Sequence, residues 1–281
     1  MNRGKGGKKK FSGKTEGPGK FNKPVKKPAT PSYDPTKIKA HSNQEEVRLN
    51  KFIANSGVCS RRDADKLISE GKIQINGAKV TELGYKVKRT DKVFLEGKKL
   101  NPEKMVYVLL NKPKDHITTT EDPKERKTVM NLVATACDER IYPIGRLDRQ
   151  TTGLLVLTND GALSQRLSHP SHGARKIYEV ELDKPITENH FNQIHNGEVK
   201  LEDGLVPIDD LQITSSDRTC LGIEIHIGRN RIVRRTFEHL GYTVTKLDRV
   251  SYATLTKKDL PRGKWRYLSE EEVVRLKNMR V

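Results

Sequence analysis

Gly145-Arg146-Leu147-Asp148-Arg149-Gln150-Thr151-Thr152-Gly153-Leu154-Leu155 is the stretch around which the chain organises itself. It is a polar loop that sets one carboxylate, Asp148, beside Arg146 and Arg149, and Gly153 closes it. Apolar runs flank it: Ile141-Tyr142-Pro143-Ile144 before, Leu154-Leu155-Val156-Leu157 after. Both read as strands. A loop held by rigid strands is a usual place for catalytic groups. A lone loop aspartate is more often a turn or cap residue, so Asp148 gains meaning only from its surroundings.

Outward from this loop, strands predominate. Val106-Tyr107-Val108-Leu109-Leu110 reads as a buried strand that Asn111-Lys112-Pro113 stops. Asn159-Asp160-Gly161 turns the chain into a short helix ending near His169-Pro170. Ile177-Tyr178-Glu179-Val180-Glu181-Leu182 and Leu221-Gly222-Ile223-Glu224-Ile225-His226-Ile227 alternate as half-buried strands. Ile232 to Leu240 reads as a helix with Gly241 as its stop. Strands outnumber helices and do not alternate with them. That pattern predicts an α+β domain over 104–281 with a largely antiparallel mixed sheet.

A smaller module precedes it, over 47–101. Leu49, Phe52 and Ile53 form a helical stripe that Gly57 can end, and Ser60 N-caps a second helix that stops at Gly71. Ile73 and Ile75 alternate with polar neighbours, and Asn76-Gly77 is a strong hairpin turn. The expectation is a helix-helix-hairpin domain.

Residues 1–44 read as a disordered basic arm. Twelve Lys or Arg stand there against Glu16 and Asp34, with too little apolar surface to offset the entropy of ordering. Such an arm suits phosphate-backbone contact without sequence specificity. The 281 residues as a whole carry a net charge of +18, with 33% hydrophobic residues and a mean hydropathy of -0.74. That charge attracts polyanions, nucleic acid first and an anionic membrane surface second. No stretch approaches the ~20 apolar residues of a membrane span, and Met1-Asn2-Arg3-Gly4-Lys5 opens no secretory signal. Cys59, Cys137 and Cys220 are odd in number and far apart, which predicts reduced thiols in a cytoplasmic protein.

Two resemblances sharpen this reading. Arg48-Leu49-Asn50-Lys51-Phe52-Ile53, Gly57, Ser60-Arg61-Arg62-Asp63-Ala64, Gly71 and Ile75-Asn76-Gly77 resemble the RNA-binding domain named after ribosomal small-subunit protein four. That resemblance implies RNA contacts by Arg61, Arg62 and Lys66, at a helix start that also offers free N–H groups to phosphate. The Asp148 loop resembles the catalytic loop of pseudouridine synthases of the RsuA family, which modify bacterial ribosomal RNA. Three further segments agree in order: Leu110-Asn111-Lys112-Pro113, Lys176-Ile177-Tyr178-Glu179-Val180, and Gly228-Arg229-Asn230-Arg231-Ile232-Val233-Arg234-Arg235. Together they cover about 47–275. The family commonly has Gly two residues after the Lys-Pro pair, where this chain has Lys114-Asp115.

The resemblance implies a cofactor-free isomerisation: the uridine glycosidic bond is cleaved, the base rotates, and it rejoins through ring carbon five. Asp148 would attack the base or the sugar, or help form a glycal; all three routes stay open. A carboxylate covered by RNA needs a fixed positive partner, and the resemblance gives that role to Arg234. The target base must leave its stack; Tyr178 would pack on it and relay a proton, and Arg146 would hold the flipped geometry. Lys112, Arg229 and Asn230 would contact phosphate or sugar. Ribosomal RNA, most readily the large-subunit RNA, free or in a pre-ribosomal particle, is the implied substrate of a monomeric enzyme. His169 and His172 flank Pro170 without a third ligand, so no metal site is expected. The competing reading is a non-catalytic RNA-binding assembly factor, or the same chemistry on small-subunit RNA.

Overall fold

A computed structural model describes Met1, residues 28–34 and residues 46–279. Most of the expected basic arm, residues 2–27 and 35–44, lies outside the described residues. The remainder departs from the disorder expected of 1–44. The Tyr33 hydroxyl donates to the carbonyl of Leu268 at 3.2 Å, and its ring meets Tyr107 edge-on at 5.1 Å. The Asp34 amide donates to Glu270 at 2.9 Å. Tyr33 buries an apolar body while its hydroxyl finds a partner, an anchor that bulk composition does not reveal.

The N-terminal module folds as its sequence predicts. Helix Leu49–Asn55 precedes helix Arg61–Ser69, whose N-cap Ser60 accepts the Asp63 amide. Strands Ile73–Ile75 and Ala78–Val80 pair across Asn76 and Gly77, at φ of +52° and +88°. Two successive positive φ angles match the twist of a two-residue hairpin. Leu49, Ile53, Ala64, Ile68, Ile73, Val87 and Val93 make this module's own core. Glu103 links it onward: its amide donates to the carbonyl of Asn55, and its carboxylate accepts the Arg140 amide.

The larger domain is built on a nine-stranded sheet. Its main path runs Asp210–Ile213, Cys220–Ile225, Lys176–Leu182, Val244–Tyr252, Thr152–Thr158, Tyr107–Lys112 and Trp265–Tyr267. Every pairing on this path is antiparallel except Val244–Tyr252 against Thr152–Thr158, which run parallel at Asp248↔Thr152 and Arg249↔Gly153. The apolar runs 106–110 and 154–157 are continuous because both sheet faces are covered. Val108, Leu110, Leu155 and Leu157 face one core with Val180, Val233 and Phe237. Tyr107, Leu109, Leu154 and Val156 face another with Leu163, Val273 and Leu276. The α+β class with a largely antiparallel mixed sheet is therefore as expected.

Candidate active site

The Asp148 loop enters the sheet at the parallel junction. Gly153 has φ of +107°, and a Cβ there would come within 2.3 Å of the Arg249 carbonyl oxygen. Only glycine lets the two backbones approach so closely. The loop is tied from three sides. Thr151 donates its amide to the carbonyl of Asp148 at 3.0 Å. The Thr118 hydroxyl donates to the carbonyl of Leu147 and accepts the Leu147 amide. Asp115 donates its amide to the carbonyl of Arg149, and its carboxylate accepts from Arg149 and Gln150 at 3.1 Å each. Asp115 adopts φ of +63°, so the glycine that the family commonly has here meets a conformational demand that this chain satisfies with aspartate.

Beneath the loop lies Lys112, fully buried. Its ammonium donates to the carbonyls of Pro113, Asp148, Arg149 and Thr151 at 3.2, 3.0, 3.3 and 2.7 Å. Burial pushes its pKa down to about 8, against the pull of Asp148 and Asp115. The expected phosphate or sugar contact is thus corrected. A side chain that water cannot reach cannot reach RNA, and its donors are spent on the carbonyls of the Asp148 loop.

Above the loop opens a cavity of about 290 Å³, lined by Arg146, Asp148, Lys176, Tyr178, Arg229, Asn230, Arg231 and Arg249 among others. Of the nominated residues it brings together Asp148, Tyr178, Arg146, Arg229 and Asn230. Tyr178 is buried in the cavity wall. Arg146 is exposed at the rim. Arg229 leans on the carbonyl of Leu205 at 3.0 Å and on Asp203 at 3.9 Å.

Among the described residues the cation paired with Asp148 is Arg231, at 3.9 Å, not Arg234. Arg231 begins helix Ile232–His239 with φ of +46°, and its guanidinium also holds Glu238. Arg234, expected to pair with Asp148, sits buried one turn on and donates to the carbonyl of Val244 at 2.7 Å. Its Nε has no hydrogen-bond partner among the described residues. Burial and Arg231 lower its pKa while Asp148 and Glu238 favour its charge, so the carboxylate reaches it through space.

Three cations at the cavity, Arg231, Lys176 and Arg249, were not singled out from the sequence. Arg231 lay inside the quoted 228–235 segment. Lys176 precedes Tyr178 by two positions on one strand, which puts both on one face. Arg249 carried no local signal, because strand register alone delivers it. In the N-terminal module Arg61, Arg62 and Lys66 are exposed. Arg61 reaches Asn50 at 3.4 Å and Lys66 pairs with Asp63 at 3.2 Å. None of the three lines the cavity.

Comparison with known proteins agrees with this architecture. The RNA pseudouridylate synthase family matches residues 106–239, and the S4 domain matches residues 47–93. Ribosomal large subunit pseudouridine synthase B of Bacillus subtilis is 42% identical over 82% of this chain and 95% of its own length. The dual-specificity RNA pseudouridine synthase RluF of Escherichia coli K12 is 37% identical over 82% of this chain and 78% of its own. A crystal structure of a pseudouridylate synthase superposes with a TM-score of 0.58 at 30% identity, covering 82% of this chain and 99% of that one. Likeness of this extent, over both domains, makes the chain a member of the RNA pseudouridine synthase family, an enzyme that isomerises uridine in RNA.

Proposed function

We propose that the substrate is a specific uridine of large-subunit ribosomal RNA and that Asp148 is the reacting carboxylate. The supporting observation is the position of Asp148 at a cavity walled by Tyr178 and ringed with arginines. The name of the Bacillus subtilis relative points to the large subunit. The target nucleotide flips out of its stack, since its reacting atoms are otherwise out of reach. Tyr178 packs against the base, and its phenol is placed to relay a proton during re-aromatisation. Arg231 is the adjacent charge for Asp148 and Arg234 a second one behind it. Arg146, Arg229 and Asn230 at the cavity meet the sugar and phosphates, while Arg61, Arg62 and Lys66 hold RNA further off.

Isomerisation exchanges the hydrogen on ring carbon five for a bond to ribose. Large-subunit RNA carrying tritium at that carbon therefore releases tritium to water with the wild type and not with Asp148→Ala. Equal release by both proteins would remove Asp148 from the chemistry. Release only from assembling ribosomal particles would make those the substrate. We also propose a cytoplasmic monomer, which solution mass tests directly.

A further inference from the structure

Two buried cations of the cavity wall, Lys176 and Arg249, form no ion pair with a carboxylate among the described residues. Lys176 and Tyr178 lie on one face of strand Lys176–Leu182, and on the adjoining strand Tyr252 pairs with Lys176 and Arg249 with Tyr178. Arg249 is 3% exposed and Lys176 8%. Arg249 donates Nε to the carbonyl of Leu154 at 2.7 Å and lies over the Tyr252 ring, and one Nη sits 3.5 Å from the Tyr178 hydroxyl. Its other terminal nitrogen has no hydrogen-bond partner among the described residues. Lys176 donates to the carbonyl of His226 at 2.6 Å and is in no ion pair with a described carboxylate. Burial, reinforced by Arg249, pushes its pKa down to about 8, with only Asp209 pulling the other way.

Burying two like charges side by side without a counter-ion is costly. An unsatisfied buried donor in a site calls for an explanation. The arrangement becomes favourable when a negative charge arrives between them.

We propose that Lys176 and Arg249 are the receptacle for the negative charge that the pyrimidine ring carries while it is detached from its original bond. The inference rests on this cavity being where the target base is held. Each open route puts charge on the ring carbonyl oxygens. If Asp148 attacks the sugar, a carboxylate oxygen bonds to the anomeric carbon as the bond to the ring nitrogen breaks. That electron pair passes to the nitrogen and spreads onto the two carbonyl oxygens. On rejoining, ring carbon five supplies the pair for the new bond and the carboxylate recovers its own. The proton from carbon five is lost and the ring nitrogen gains one, so no further reagent is consumed. If a glycal forms, the departing base carries the same charge; if Asp148 attacks the ring, the addition puts the charge on the carbonyl oxygen at ring carbon four as an enolate. Fixed donors aimed at developing charge in a dry site are among the largest contributions to catalysis.

The test is a cycle between side chain and substrate atom, run on ribosomal RNA carrying uridine, 2-thiouridine or 4-thiouridine at the mapped target. Lys176→Met and Arg249→Met should each slow the single-turnover step about 10²–10³-fold, with RNA affinity unchanged. Lys176→Arg should recover part of the rate. Replacing the contacted oxygen by sulfur should slow the wild type but slow the variant little further, because both changes remove one interaction. Arg249 also braces the Leu154 carbonyl; if Arg249→Met melts early, Arg249→Lys and the lysine variants carry the test. Rate losses matched by losses in affinity, with a shallower salt dependence, would instead mark a phosphate contact and overturn the proposal. So would sulfur and side-chain effects that multiply independently at both oxygens. Asp148→Ala is the separate control: an active Asp148→Ala would undo the choice of cavity, whatever Lys176 does.

Discussion

The Nζ atom of Lys112 lies 3.0 Å from the main-chain carbonyl oxygen of Asp148 and donates to it from below, while the Asp148 side chain faces the cavity above. The lysine acts on the loop's backbone and leaves the carboxylate to Arg231. Lys112→Met removes a donor shared by four carbonyls; those of Asp148 and Arg149 keep a backbone donor, whereas the buried bond to the Thr151 carbonyl is lost, at a cost of about 1–3 kcal/mol for an unsatisfied buried group. Its kcat should fall at least about tenfold with the RNA dissociation constant unchanged. A weakened affinity with a reduced salt slope would restore Lys112 to the phosphate contacts.

Position 115 separates conformation from contact. Its left-handed backbone costs a non-glycine residue about 1 kcal/mol, and its ion pair with Arg149 is largely exposed, worth about 0–1 kcal/mol. Asp115→Gly exchanges one for the other and should melt close to the wild type. Asp115→Ala keeps the strain, loses the contacts, and should melt several degrees lower. Equal melting temperatures for the two variants would contradict this division.

Gly153→Ala should be the most damaging single methyl in the domain. It collides with Arg249 backbone at a φ unsuited to alanine, a combination worth about 3 kcal/mol or more. Chemical denaturation reads this directly, and a wild-type midpoint would show that the parallel junction yields.

The junction also has a pH signature. Burial opposes the charge on Asp248, but donors from Arg262, Lys257 and Thr152 outweigh it and hold the pKa at about 2. A carboxyl whose folded pKa lies below its unfolded value of 3.8 stabilises the fold above that value. The contribution disappears as pH falls through about 2. Lys112 behaves oppositely. Its folded pKa of about 8 lies below the unfolded 10.5, so its burial cost is relieved as pH rises between them. Stability curves of Asp248→Asn and Lys112→Met should each lose slope in its own window and match the wild type in the other.

The arm calls for its own experiment. Removing residues 1–27 deletes most of the lysines but spares the Tyr33 anchor, so the melting temperature should hold while RNA binding weakens and its salt dependence flattens. An unchanged salt slope would make those residues passive.

The strands around Asp148 were legible because burial on both faces writes continuous apolar runs, and the hairpin at Asn76-Gly77 because its turn demands those residues. Lys112 was misjudged because lysine usually marks a wet surface, and four carbonyls converge on it only once the loop has closed. Arg249 stands about 100 residues after Asp148 and reaches the cavity through parallel register, which one sequence does not display. Tyr33 was hidden in a segment whose composition argues for disorder, since one anchor does not alter an average. The pairing of Arg231 rather than Arg234 with Asp148 turned on a single left-handed residue at a helix start.

The most direct measurement maps pseudouridine by carbodiimide-blocked primer extension on unmodified ribosomal RNA of both subunits, incubated with the wild type or with Asp148→Ala. One new stop in large-subunit RNA, made by the wild type alone, is the predicted result. A stop made equally by Asp148→Ala, or no stop on either RNA, free or in assembling particles, would contradict the account.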